Sequence, residues 1–251
     1  MSSLAEILGK GVPGNVRASD GTGGTLTLTR DDYRTQVFNL TAAKAVKLPT
    51  TGIKKGETFV IAAQTGVDGV SHLTIQASDA SELTAATSGM PASIMRGYSV
   101  IQALIDTPVT ATDWVVLDSR ENGATLTTWT GNGTGPSTSG TNTIYWQRDG
   151  LAVTASPQNT VVVTAGSSGT TKLFNNTALP TRLRPLTGAM IGLATVRDNN
   201  ANVNQPGAVV ITTAGVIECY RDLIQTAFSV NNTSGIGTLS GLQIMRWHLL
   251  V

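Results

Sequence analysis

Charge, aromatic rings, histidine and cysteine are all scarce in this chain. Asp, Glu, Lys and Arg make up 13% of 251 residues and nearly cancel, at a net charge of +1. No strong field is therefore present to draw nucleic acid or anionic lipid. Lys54 with Lys55, and Arg182 with Arg184, are isolated basic pairs rather than a stripe. One cysteine, Cys219, excludes an internal disulfide, and without ligating neighbours it argues against zinc. No run of about 18 apolar residues exists, so no membrane-spanning helix is expected. The opening MSSLAEILGKG lacks the basic start and long apolar centre of a secretory signal, so synthesis and assembly in cytoplasm are expected.

Catalytic groups are equally thin. The only histidines, His72 and His248, fall in separate strand-like runs, and a catalytic histidine needs partners. No G-x-S-x-G elbow and no phosphate loop is present; Gly9-Lys10-Gly11 lacks the upstream glycine and hydroxyl. Asp198, Asn200, Asn202 and Asn204 alternate as calcium-loop ligands do, but Val203 stands where glycine is wanted and no closing glutamate follows. Asp31–Asp32 and the set Asp113, Asp118 and Glu121 supply carboxylates for a glycosidase only if two face one another across a cleft. No repeat of the kind that marks long β-helical spikes is evident. The sequence thus points to no catalytic residue, metal or cofactor, and it names no receptor-binding residue. Asn231-Asn232-Thr233 reads as an ordinary polar loop.

What is plentiful is Gly, at 27 residues, with Ser, Thr and short Val/Ile/Thr runs broken by Gly, Asn and Pro. This composition predicts an all-β chain, long enough for one large or two ordinary domains. The clearest element is a hairpin, Ala208–Thr212 and Val216–Tyr220. Its side chains alternate with period two, and Gly215 supplies the positive φ of a tight reversal.

In chain order, residues 1–24 predict a docking arm, with Ser2 or Ser3 capping a short helix that carries Leu4, Ile7 and Leu8. Those three apolar residues favour docking on another subunit. Residues 25–120 predict a β-sandwich with strands at Thr25–Thr29, Gln36–Asn39, Lys44–Leu48, Thr58–Ala62, His72–Gln76, Val100–Ile105 and Trp114–Leu117. Residues 121–143, rich in Gly, Ser, Thr and Asn, read as a linker or long loop, with Trp129 packed on the following domain. Residues 144–251 predict a jelly roll. Its strands are Ile144–Arg148, Leu151–Ser156, Thr160–Thr164, Met190–Arg197, the hairpin, Thr226–Val230 and Leu242–Val251. In the last run Leu242, Ile244 and Leu250 share one face, and Met245, Trp247, Leu249 and Val251 the other. A strand apolar on both faces is covered on both, and a sister chain is the natural cover.

Two stretches carry a resemblance. LTAAKAVKLPTTGIKKGETFVIAA, LTIQASDASEL and ATDWVVLDS resemble the mounting domains of tail-fibre and head-decoration proteins of tailed bacteriophages. IYWQRDGLAVTAS, LPTRLRPLTGAMIGLATV, GAVVITTAGVIECY and GLQIMRWHLLV resemble the tumour-necrosis-factor-like jelly-roll heads at fibre tips. The resemblance implies a non-enzymatic homotrimer on the virion surface. Its N-terminal part would mount on a tail, baseplate or major capsid protein. Its head would bind a host glycan or protein through loops such as 166–178, 198–206 and 231–241. The alternative it carries is a capsid decoration protein, and a polysaccharide-cleaving tailspike stands third. The composition offers no reason to expect nucleic-acid or membrane partners.

Overall fold

The structure, a computed structural model, describes residues 16–19, 22–65, 72–131, 138–139, 141–158, 161–164, 172–198, 201–202, 205–224, 236–240 and 245–249. Among these residues it is mostly β, with a small parallel sheet, a large mixed sheet and one short α-helix. Contacts gather the chain into two units, Met1–Gly123 with Arg148–Leu151, and Ala124–Gln147 with Ala152–Val251.

The first unit holds β1 (Val16–Ser19), β2 (Gly24–Thr27), β3 (Thr35–Asn39), β4 (Lys44–Lys47), β5 (Thr58–Thr65), β6 (Leu73–Gln76), helix α1 (Ala85–Ser88), β7 (Arg96–Ala103) and the start of β8 (Trp114–Gly131). Odd-numbered strands β1, β3 and β5 pair in parallel, and so do even-numbered β2, β4 and β6. The chain therefore winds as a coil of three turns, each placing one strand in either sheet. β7 and β8 then add antiparallel to β5.

Period-two alternation drives this arrangement. Phe38 on β3, Val46 on β4, Phe59 and Ile61 on β5, and Leu73 and Ile75 on β6 are all fully buried in one core with Ile101, Trp114 and Val116. Each such side chain stabilises the fold by about 1.5–3 kcal/mol relative to exposure. Phe59 meets Trp114 edge to face, at 5.9 Å between centroids.

Strand positions follow the sequence closely here, but their direction does not. A β-sandwich was expected with no strand direction assigned, and β1 to β6 are found paired in parallel. Alternation within a strand is the same in either direction; the connections, crossing from one sheet to the other, set the parallel sense. The coil also carries no sequence repeat. Successive register partners Val16, Thr35 and Val60, and Gly24, Lys44 and Leu73, fall at unequal intervals. Val16–Ser19, expected within a docking arm, is the first strand of the coil.

The second unit contains the rest of β8, β9 (Thr138–Ser139), β10 (Thr141–Asp149), β11 (Ala152–Pro157), β12 (Val161–Thr164), β13 (Lys172–Asn175), β14 (Ala189–Asp198), β15 (Ala201–Asn202), β16 (Gly207–Ile211), β17 (Ile217–Tyr220), β18 (Ile236–Ser240) and β19 (Met245–His248). Its registered pairs are antiparallel: β11 with β19, β12 with β18 and β9, β13 with β17 and β8, β14 with β16, β18 and β15, and β16 with β17. β10 joins β8 to β11. The expected hairpin is present as β16 and β17, with Val209 opposite Cys219 and Gly215 at φ +79°.

Five expectations need correction. The stretch read as a linker is strand through Gly131, because its inward positions hold Thr125, Thr127 and Trp129, all buried; Gly and Thr composition hid that pattern. β13 and β18 lie inside the expected loops 166–178 and 231–241, and β15 inside 198–206. Leu173 and Asn175 of β13 are buried, so those positions present nothing outward. At the C-terminus Met245, Trp247 and Leu249 are buried, but Arg246 and His248 on the other face are exposed. That face is polar at its centre, so the two-sided apolar strand does not hold there. The expected strand Thr226–Val230, the short N-terminal helix and Leu242, Ile244, Leu250 and Val251 lie outside the described residues.

Candidate functional site

The densest polar cluster belongs to the first unit and is fully enclosed. Arg148, on the end of β10, donates from Nε to Glu121 Oε1 at 2.9 Å, with both side chains sealed from solvent. Its Nη2 donates to the Ser93 carbonyl and Ser119 Oγ at 3.1 Å each, and its Nη1 to the Gly150 carbonyl at 3.2 Å. Glu121 Oε2 accepts from the Met95 N–H at 3.0 Å. Ser99 Oγ lies 2.7 Å from Ser119 Oγ and donates to the Ala92 carbonyl. Each of the three guanidinium nitrogens finds a fixed acceptor, as a buried charge requires. The result is a structural clamp holding the turn at Arg148–Leu151 in the first unit.

Beside it on the surface, Tyr98 donates to Asp118 at 2.8 Å, and Arg120 bridges Asp118 and Asp149 at 3.5 and 3.2 Å. Burial, then the hydrogen bond to Asp118, pushes the Tyr98 phenol up to about 12. It stays protonated at neutral pH and is no general base.

The structure disperses the carboxylates the sequence singled out. Asp113 caps a 3-10 turn, accepting from the N–H groups of Thr110 and Val109 at 2.8 and 2.9 Å. Asp32 accepts from the Thr29 N–H at 2.7 Å. Asp118 is held by Tyr98, and Glu121 by Arg148. Each is committed to holding local structure, and none of these partners is another carboxylate. Asp198 and Asn202 fall in the β14–β15 hairpin ladder, while Asn200, Val203 and Asn204 lie outside the described residues. Among the described residues no group of three or more His, Cys, Asp or Glu is placed to hold a metal.

His72 and His248 belong to different units. His72 precedes β6 and offers its carbonyl to the Lys44 N–H. His248 is exposed on β19 opposite Ala152. Cys219 is buried on β17, and burial first, with Glu218 adding, holds its thiol well above the usual range. It is a packed, unreactive group. Trp129 is buried on β8 beside Asn175, a packing residue as expected. Arg182 stacks over the Trp146 ring at 5.6 Å, and Arg184 donates to the Leu179 carbonyl at 2.8 Å, so both basic residues serve local structure.

Composition gave no sign of the outward face of the sheet in the second unit. Phe174 on β13 lies opposite Thr130 of β8 and Glu218 of β17, and Lys172 lies opposite Tyr220. Lys172 pairs with Glu218, which also accepts from Tyr220. Leu126 of β8, on the same side by alternation, is 61% exposed, and Tyr145 of β10 is 48% exposed. Leu126 and Tyr145 are thus left to solvent. No family model and no curated relative matches the chain.

Proposed function

We propose that this chain is a non-enzymatic structural protein of a tailed-bacteriophage virion. It forms a trimeric fibre or spike, mounted through its N-terminal part on other virion proteins. Its C-terminal head is presented for binding host-surface glycan or protein. It is made and assembled in the host cytoplasm and works on the virion surface.

The observation that carries the reading is the strand pairing of the second unit. In an eight-stranded jelly roll the first strand pairs with the last, the second with the seventh and the third with the sixth, while the fourth pairs with the fifth and the seventh. Taking β11, β12, β13, β14, β16, β17, β18 and β19 as those eight, each of these pairings is present; among the described residues the eighth strand does not meet the third, and β16 and β17, the fifth and sixth, pair in addition. This order supports the jelly-roll head that the sequence resemblance implied. The exposed Leu126 and Tyr145 support self-association, in place of the C-terminal strand first expected to provide it. Recognition then falls to connections at the rim of a rigid sheet.

Adsorption competition tests the reading. Excess purified protein is expected to block virion attachment to host cells, because it occupies the receptor. A capsid decoration protein leaves attachment unchanged and binds purified capsids instead, and that outcome would replace the fibre with the decoration role.

A further inference from the structure

Among the described residues of the first unit, the large apolar side chains left exposed are Tyr33, Leu104, Ile105, Val109 and Leu117. All but Leu117 fall in connections at one end, where β3 and β5 begin and β7 finishes. β8 starts at that end, with Trp114 opposite Ala103, and leaves past Glu121 and Gly97 at the other. The loop that carries three of them is fixed rather than slack. Leu104 donates its N–H to the Asp113 carbonyl at 2.8 Å, Thr107 to the Ile53 carbonyl at 3.0 Å, and Val109 to the Asp113 carboxylate at 2.9 Å. The Val109 carbonyl accepts from the Asp79 N–H and the Ser78 hydroxyl. Asp106 accepts from the Lys55 N–H at 2.8 Å and from Lys54 Nζ at 3.1 Å. Thr107 is held at φ +50° and Ala80, next to Asp79, at +72°. A β-branched residue in the left-handed region is an outlier, kept there only by the bonds around it, and such strain gathers at sites of contact. A braced loop that points Leu104, Ile105 and Val109 into water costs a partner little further ordering.

We propose that this end, centred on Leu104, Ile105 and Val109, is the face by which the chain docks on another virion protein; the inference rests on the proposed function and names the surface used for mounting. The occupant is a protein surface with an apolar recess and a carboxylate at its rim. Charge sets the carboxylate. Lys54 is neutralised by Asp106 and Arg34 by Glu57, whereas the exposed Lys55 ammonium meets no acid among the described residues. Area argues against a second copy of this chain. The three side chains leave about 200 Å² of apolar surface, far below the ~800 Å² per partner that a stable pair buries. Two free molecules gain too little there to stay together. Three such faces on one trimer, seated together on a particle, hold firmly, because the second and third contacts form at high local concentration.

The test grows a phage with a stop codon in the gene for this chain in cells that supply the full chain, and counts its copies on purified virions. Ile105→Glu and Lys55→Glu are compared with the parent and with Ile224→Glu, which alters an exposed apolar residue of the second unit. All three substituted side chains face solvent, and the melting temperature of each purified variant is expected to match the parent; Lys55→Glu carries the test if Ile105→Glu melts early. Parental copy number for Ile224→Glu, with a tenfold or greater loss for the other two, is expected. Full incorporation of Ile105→Glu would overturn the docking face while leaving the virion role intact. Full incorporation of Lys55→Glu alone would overturn the acidic partner. Equal loss in all three variants would also overturn the proposal. Absence of the parent chain from virions would instead remove the proposed function, and this inference with it.

Discussion

Arg148 and Glu121 show what a buried charge demands of its surroundings. Neither side chain touches water: Arg148 is held by Glu121, two carbonyls and Ser119, and Glu121 by Arg148 and the Met95 N–H. Replacing Arg148 with Ala leaves an uncompensated carboxylate, and a loss of about 3–5 kcal/mol is expected in urea unfolding. The double variant Arg148→Met with Glu121→Leu should recover most of that loss, since it removes both charges; no recovery would mean that the carbonyl contacts dominate. Asp113 poses the pH question. Its carboxyl is held below the usual range chiefly by the Thr110 N–H, then by Val109. Its contribution is therefore fully present above the unfolded value of about 3.9 and fades as pH falls through the lower folded value. Asp113→Asn should be less stable than the parent at neutral pH, with the two urea midpoints converging in acid. Cys219 should resist thiol reagents in the native protein and react at the rate of unfolding. Prompt labelling would contradict its burial.

At the scale of the element, β7 and β8 depend on a close approach at Gly97. This residue sits at φ +150°, and a Cβ there would lie 1.9 Å from the Arg120 carbonyl oxygen. Gly97→Ala should therefore cost on the order of 2–4 kcal/mol by backbone displacement. Thermal unfolding beside Gly56→Ala separates the two effects: Gly56 also has positive φ but has open space around it. β8 illustrates why composition misleads. Its Gly- and Thr-rich second half looks like a connection, yet Trp129 and Thr125 are buried along it and the Thr127 hydroxyl accepts from the Thr177 N–H. β13 escaped notice for the opposite reason, being four residues between polar stretches.

For the whole molecule, the proposed trimer is tested on the exposed face of the second unit. Leu126→Lys changes a solvent-facing side chain, so the melting temperature should hold while sedimentation shifts from trimer to monomer. A variant that remains trimeric would move the contact elsewhere. The sequence by itself determined that the chain is built of short strands, where most of them lie, that β16 and β17 form a hairpin, and that Cys219 and Trp129 pack inside. Those are local matters, set by alternation, turn residues and side-chain size. Strand direction in the coil, the pairing order of the second unit, the enclosure of Arg148 with Glu121 and the polar outer face of β19 were decided only by the tertiary structure. The physical reason is that one alternating pattern serves parallel and antiparallel neighbours alike. Which partner it receives depends on connections and on residues distant in the chain.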